Sequence, residues 1–298
     1  MAEITLLDGS IGQEVVKRSG DRATPLWSTS VMIDRPDVVG GIHADYFAAG
    51  ATIATTNTYA VLRDRLVRAG IEDHFEELLE EAAAQATAAR DAHGSGRIAA
   101  ALGPLIASYR PDICPPQDEA KEVYAELVTL LEPKADLFLI ETVSSLEHAK
   151  GALLGCSDTD KPVWLAASVN DEDGTLLRSG EPLSALAQVV GEYQPDAVLL
   201  NCSRPEVIGD GLNIVRNFGK PFGAYANGFT RISEGFLKDA PTVDALEQRQ
   251  DLDPKAYAEF AMGWVAQGAT IVGGCCEVGP DHIAELARQL LAAGHRIV

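Results

Sequence analysis

Eight short apolar runs, at residues 4–7, 51–55, 98–103, 137–140, 163–169, 197–200, 222–226 and 270–274, alternate with helical patterns along 298 residues. A strand followed by a helix, repeated in this way, is the order of an α/β fold with a parallel sheet, and the count predicts a (β/α)8 TIM barrel. A second observation agrees: the polar residues suited to chemistry stand at the carboxyl ends of these runs, where a barrel carries its active site. An open doubly wound sheet is the alternative with the same alternation. Nothing resembles a linker, a fixed-period repeat or a low-complexity segment, so a single domain over residues 1–298 is expected.

The first run ends at Asp8-Gly9-Ser10 and the second at Thr56-Asn57-Thr58-Tyr59. Behind the second, Phe75, Leu78, Leu79, Ala82, Ala83 and Ala86 fall on one helical face, as do Val123, Tyr124, Leu127, Leu130 and Leu131 behind the third. The fourth run ends at Glu141-Thr142, and Ser144 with Glu147 has capping-box spacing for the next helix. The sixth ends at Asn201-Cys202 and the seventh at Asn227, which opens the longest irregular stretch, residues 227–250, expected to loop over the mouth. Pro254 after Asp253 and Pro280 after Gly279 suit first helical turns. The last helix presents Ile283, Leu286, Ala287, Leu290 and Leu291.

The chain runs from Met1-Ala2-Glu3 straight into the first strand, so no export signal is expected, and no apolar stretch approaches the roughly 18 residues of a membrane span. The net charge of −20 is spread over helix faces such as Glu76, Glu77, Glu80 and Glu81. That argues against nucleic acid and anionic membrane as partners. Five cysteines, at 114, 156, 202, 275 and 276, are an odd number. With no export signal they predict free thiols in a reducing cytoplasm rather than a disulfide framework.

Two of those thiols end the stretch Thr270-Ile271-Val272-Gly273-Gly274-Cys275-Cys276, and Cys202 ends a second run of the same construction. Three soft ligands at strand mouths suggest zinc, and three protein ligands leave the open position of a catalytic site. Free cysteines also serve as small core fillers, which is the competing reading. Successive strand residues point to opposite faces, so neighbouring thiols share one ion only where the backbone leaves strand geometry, and Gly273-Gly274 is expected to permit that. The convergence of Asp8, Asn57, Glu141, Asn201 and Cys202 on the same strand ends favours the metal.

Leu7-Asp8-Gly9-Ser10-Ile11-Gly12, Thr56-Asn57-Thr58-Tyr59, Ile140-Glu141-Thr142, Asn201-Cys202 and Gly273-Gly274-Cys275-Cys276 together resemble the motif series of the homocysteine S-methyltransferase family. Its members include betaine-dependent and S-methylmethionine-dependent enzymes and the amino-terminal module of cobalamin-dependent methionine synthase. The resemblance covers nearly the whole chain and implies a zinc-dependent (β/α)8 barrel with Cys202, Cys275 and Cys276 as catalytic zinc ligands. It implies that Asp8, the Gly9-Ser10 backbone and Glu141 hold the amino-acid part of homocysteine, with Asn57 and Asn201 in the same substrate site. Ser10 is a departure, since many members have a second glycine there. A glycine needed for a special backbone angle or a close substrate approach would make serine shift this pocket.

Zinc binds a substrate sulfur and removes its proton, so the expected reaction is methyl transfer to the thiol of L-homocysteine, giving methionine. The expected donor is a small sulfonium, S-methylmethionine first, with betaine or a separate corrinoid protein as alternatives, because no cobalamin module is apparent. Trp27 and Tyr59 lie in loops where aromatic faces can meet an onium group. The partners are then small molecules. A metal-dependent hydrolase is disfavoured, since such sites use His and carboxylate ligands and the six histidines fall mostly in helical patterns.

Overall fold

The computed structural model describes residues 1–20, 26, 28–230, 232 and 247–298. Nine strands, β1 (Glu3–Leu6), β2 (Ile53–Thr55), β3 (Arg97–Leu102), β4 (Leu137–Val143), β5 (Val163–Ala167), β6 (Ala197–Asn201), β7 (Phe222–Ala226), β8 (Ile271–Gly274) and β9 (Arg296–Ile297), form one sheet. Every pairing is parallel and the order is β2-β3-β4-β5-β6-β7-β8-β1-β9. The strands follow the chain around a curl, without the reversal of order that defines a doubly wound sheet. Between β1 and β2, Leu7 and Ile53 form a parallel bridge, the Thr52 amide donates to the Leu6 carbonyl (2.7 Å) and the Asp8 amide to that of Ile53 (3.1 Å).

The helices among the described residues are α1 (Ile11–Arg18), α2 (Ser28–Asp34), α3 (Pro36–Ala48), α4 (Arg63–Ala69), α5 (Phe75–His93), α6 (Gln117–Leu131), α7 (Leu146–Gly155), α8 (Leu186–Tyr193), α9 (Pro205–Val215), α10 (Pro254–Ala266) and α11 (Pro280–Ala292). The expected apolar face of α5 is buried throughout, whereas α11 turns Leu291 to solvent. On α6, Val123 and Leu130 flank the buried stripe rather than forming it. The α7 cap is Ser145, one residue beyond the expected Ser144: its hydroxyl accepts from the His148 amide, while Glu147 accepts from the Gln117 amide. Asp253 caps α10 with Pro254 in its first turn, as expected. Among the described residues no helix is long and apolar enough to cross a membrane.

The two-residue period of a strand divides the core. Phe138, Ile140, Val198, Leu200, Ala224 and Val272 pack beneath the helices, while Leu137, Leu139, Ala197, Leu199, Tyr225 and Ile271 fill the inside of the curl with Leu7, Ile53 and Trp164. Glu141, two residues beyond Leu139, belongs to the inner row. The ninth strand was not foreseen, because two residues carry no readable period. It pairs with the start of β1, and Thr52 Oγ1 donates to the Val298 carbonyl (2.7 Å). Of the irregular stretch 227–250, residues 231 and 233–246 lie outside the described residues. Its stem is laddered through the Phe229–Gln248 bridge.

Candidate functional site

The inner row of side chains ends in a cavity of about 120 Å3 at the carboxyl ends of the strands. Asp8, Gly9, Ser10, Asn57, Tyr59, Glu141, Cys202, Cys275 and Cys276 all line it. The Sγ atoms of Cys202, Cys275 and Cys276 lie within 4.8 Å of one another. The sulfurs of Cys202 and Cys275 are in contact, with Cα atoms 5.8 Å apart, an approach open to two thiols that share one ion as well as to a disulfide; Cys114, Cys156 and Cys276 make no such contact. The contact joins two of the three candidate ligands and is not a framework.

Three sequence positions hold this cluster in an unusual way. Thr142, Cys202 and Glu277 have φ of 62°, 50° and 64°, left-handed values that a non-glycine residue adopts at a cost of order 1–3 kcal/mol. Each adjoins or is a site residue. The backbone therefore leaves strand geometry at these three positions, which corrects the expectation that it does so at Gly273-Gly274. The two glycines serve close packing: a Cβ on Gly273 would stand 2.5 Å from that of Leu7, and one on Gly274 2.2 Å from Val278 Cγ1.

The donor set fits a soft or borderline divalent ion. Thiolates about 2.3 Å from one ion stand roughly 3.8 Å apart, so the observed cluster requires only small side-chain adjustments to hold one. Burial pushes the Cys276 thiol up to about 12, with Glu277 and Glu141 adding to it. An ionised Cys276 in this cavity thus needs a cation beside it. Thr142 Oγ1 donates to Cys202 Sγ at 3.4 Å.

Facing the thiols are two carboxyls with different partners. Asp8 directs both oxygens at Thr55, accepting from its amide and its hydroxyl at 2.6 Å each. Burial raises it to about 7 against the opposing effect of these bonds. Glu141 accepts from the Tyr225 hydroxyl at 3.2 Å. Burial raises it further, to about 8, and Asp8 adds to the shift. With one partner against two short bonds, Glu141 is the carboxyl with acceptor capacity left for a ligand.

The remaining expected residues divide. Ser10 has φ −69° and ψ 105°, an ordinary extended backbone, and its hydroxyl caps α1 by accepting from the Gln13 amide. Serine therefore does not strain this position; the close approach belongs to Gly9, where a Cβ would meet the Val278 carbonyl at 2.1 Å. The Asn57 side chain is engaged by Ser28 Oγ (2.6 Å) and Met32 Sδ (3.6 Å), so it ties α2 to the mouth while lining the cavity. Asn201 is fully buried outside the cavity lining. Its amide accepts from the Thr142 amide (3.1 Å) and donates to its hydroxyl (3.3 Å), holding the turn after Glu141. The Tyr59 hydroxyl meets Ser108 Oγ at 2.7 Å, and the Arg65 guanidinium lies 5.8 Å from its ring centre. Trp27 lies outside the described residues.

Sequence reasoning missed Gln13, Thr55, Tyr109, Tyr225 and Phe229, all on the cavity wall. Two had a signal. Tyr225 sits on the inner parity of β7, and Ser10-Ile11-Gly12-Gln13 has the S-x-x-Q spacing of a capping box. Gln13 uses that position differently: Nε2 donates to Glu277 Oε1 (2.6 Å) and Oε1 accepts from the Glu277 amide (2.5 Å), tying α1 to the turn after Cys276. Among the described residues no histidine lines the cavity.

Curled parallel sheet, strand-end cavity and a three-thiol cluster define a class, the α/β enzymes whose chemistry sits at the carboxyl ends of their strands. Residues 5–290 match the family model described as homocysteine S-methyltransferase. The homocysteine S-methyltransferase YbgG of Bacillus subtilis (strain 168) is 27% identical over 308 residues, covering 95% of this chain and 93% of the relative. That of Escherichia coli (strain K12) is 26% identical over 302 residues, covering 95% and 94%. The fold is shared with the metallated form of the E. coli homocysteine methyltransferase MmuM, at a TM-score of 0.80 and 24% identity over 96% of each chain. The chain belongs to the homocysteine S-methyltransferase family, and with it to the thiol S-methyltransferases.

Proposed function

We propose that this protein is a single-domain closed (β/α)8 barrel that transfers a methyl group from a small sulfonium donor, S-methylmethionine first, to the thiol of L-homocysteine, giving methionine. The observation that carries the reading is the presence of three thiols and an under-satisfied carboxyl, Glu141, in one cavity. The seam between Leu7 and Ile53 supports closure. Zinc is the proposed ion, held by Cys202, Cys275 and Cys276, and when bound it supplies the Lewis acidity that favours the thiolate form of the acceptor.

The side chains do the rest by placement. Glu141, with Asp8 behind it, takes the acceptor's ammonium group, a charge-assisted contact. The Gly9-Ser10 segment and the first turn of α1 take its carboxylate, as helix N-termini do; the Ser10 amide itself donates to the Val278 carbonyl at 3.0 Å. Tyr59, Tyr109, Tyr225 and Phe229 exclude water and offer aromatic faces to an onium group. The acceptor sulfur then forms its bond to the methyl carbon as the donor S–CH3 bond breaks, the bonding pair leaving with a neutral thioether. The thiol proton passes to solvent. Holding sulfur and methyl at near-attack distance can lower the barrier by roughly 7–11 kcal/mol. Three reduced thiols are required, so a reducing cytoplasm is the compartment that suits this reading.

A donor panel tests it: homocysteine with S-methylmethionine, S-adenosylmethionine, betaine, dimethylsulfoniopropionate or methylcobalamin, following methionine. Turnover with a free sulfonium is expected. Methionine formed only from methylcobalamin or a corrinoid partner would overturn the donor.

A further inference from the structure

Between β5 and α8 the chain makes a short hairpin, in which Val169 bridges Leu177 and Leu176 bridges Pro182. Arg178 projects from it with its side chain only 10% exposed. Nη1 and Nη2 clasp the Asp171 carboxylate at 2.8 and 2.7 Å, Nη2 also donates to the Cys202 carbonyl at 3.1 Å, and Nε donates to Ser168 Oγ at 3.1 Å. Ser168 Oγ donates to the same Cys202 carbonyl at 3.2 Å. Asp171 is anchored in turn by the amides of Arg204 (3.3 Å) and Ile232 (3.0 Å). The guanidinium lies 5.1 Å from the ring centre of Tyr109, on the cavity wall.

This arrangement acts on one peptide group. At φ 50° Cys202 is in the left-handed region, and its carbonyl accepts these two side-chain donors just past the end of β6. A cysteine does not stay in that conformation without support. Relaxing to strand geometry would swing its side chain toward the opposite face of the sheet, away from Cys275 and Cys276. Arg178 is thus placed to hold Cys202 from behind, through a bidentate ion pair of the strong, directional kind.

We infer that Arg178 is a positioning residue of the thiol cluster, setting the affinity for a metal ion by fixing the Cys202 backbone through its carbonyl. The inference rests on the proposed metal role of the three thiols. Second-layer partners of this sort change metal affinity roughly 10- to 100-fold when removed.

The test uses the reduced, metal-stripped full chain. Zinc is titrated against a chromogenic chelator, and cobalt(II) is added to read the thiolate-to-metal absorption, for wild type, Arg178→Met, Arg178→Lys and Ser168→Ala. Arg178→Met should bind zinc roughly 10- to 100-fold more weakly and lose part of the cobalt–thiolate band with unchanged circular dichroism. Arg178→Lys should recover part of both, and Ser168→Ala should show a smaller loss of the same kind. Where Arg178→Met does not fold, the Lys and Ala variants decide. Wild-type affinity and an unaltered cobalt band in the folded variants overturn the inference while leaving the metal reading intact. A wild-type chain that binds neither ion overturns the metal reading and the inference with it.

Discussion

The thiol wall and the carboxyl wall share one cavity but stand on different foundations. Cys202 is itself in the left-handed region, Glu277 follows Cys276 in the same conformation, and Arg178, Ser168 and Gln13 reach in from elsewhere to hold these turns. Glu141 instead ends the inner row begun by Leu137 and Leu139, with the left-handed Thr142 after it held by Asn201, and Asp8 rests on Thr55. The difference teaches where each wall is vulnerable. Thiol geometry depends on several side chains acting on backbone groups, whereas Asp8 and Glu141 are each met directly at the carboxyl, by Thr55 and Tyr225.

The largest test of that contrast is at the thiols. Cys276→Ser should lose most of the bound metal and nearly all methyl transfer while the fold survives, because a hydroxyl is a poor soft-metal ligand. Cys114→Ser and Cys156→Ser should do neither. Metal content and activity are measured together, and full occupancy in each of Cys202→Ala, Cys275→Ala and Cys276→Ala would dissolve the thiol wall as a metal site.

A smaller effect is expected across the cavity. Glu141→Ala should raise the KM for homocysteine by roughly 10- to 100-fold, the loss of about 1.5–3 kcal/mol from a hydrogen bond to a charged group, with metal content unchanged. An unaltered KM in folded protein would return Glu141 to a structural role. Asp8→Ala should act more on stability than on binding, since it leaves the Thr55 amide and hydroxyl without their acceptor. A loss of about 1–3 kcal/mol in urea unfolding is expected. A homocysteine KM raised more by Asp8→Ala than by Glu141→Ala would reverse the assignment of the two carboxyls.

The same contrast explains what the sequence disclosed. Strand order, the helical faces and the inner parity of Glu141 follow from period 2 and period 3.6, which a single chain displays openly. The cysteines were visible because adjacent thiols after two glycines are an unusual pattern. What was hidden is everything carried by backbone conformation: Cys202 and Thr142 in the left-handed region have no residue signature, unlike glycine. Asn201 ends a strand as a substrate ligand would, and what the sequence does not show is that its amide meets the Thr142 amide and hydroxyl and lies outside the cavity lining. Arg178 was invisible for a related reason, lying on a hairpin between two units where periodicity says nothing.

The last and smallest effect concerns an ionisable group that serves neither wall. His43 is fully buried on α3, and neither ring nitrogen has a hydrogen-bond partner. Burial lowers it from 6.5 to about 4, so the folded protein keeps the ring neutral while the unfolded chain takes up a proton near pH 6.5. Between these values the unfolded state binds more protons, and stability falls as pH falls; by about pH 5.5 the loss from this one group is about 1 kcal/mol. His148 shifts in the same direction, to about 4, but is hydrogen-bonded to Tyr124, so it remains as a second contributor. His43→Leu removes no hydrogen bond and should be near neutral at about pH 7.5. At about pH 5.5 it should be more stable than wild type by about 1 kcal/mol, read from urea unfolding of both proteins under identical metal and thiol conditions. Parallel stability curves for the two proteins over this range would mean that His43 does not enter the folded state as a neutral, unsolvated ring.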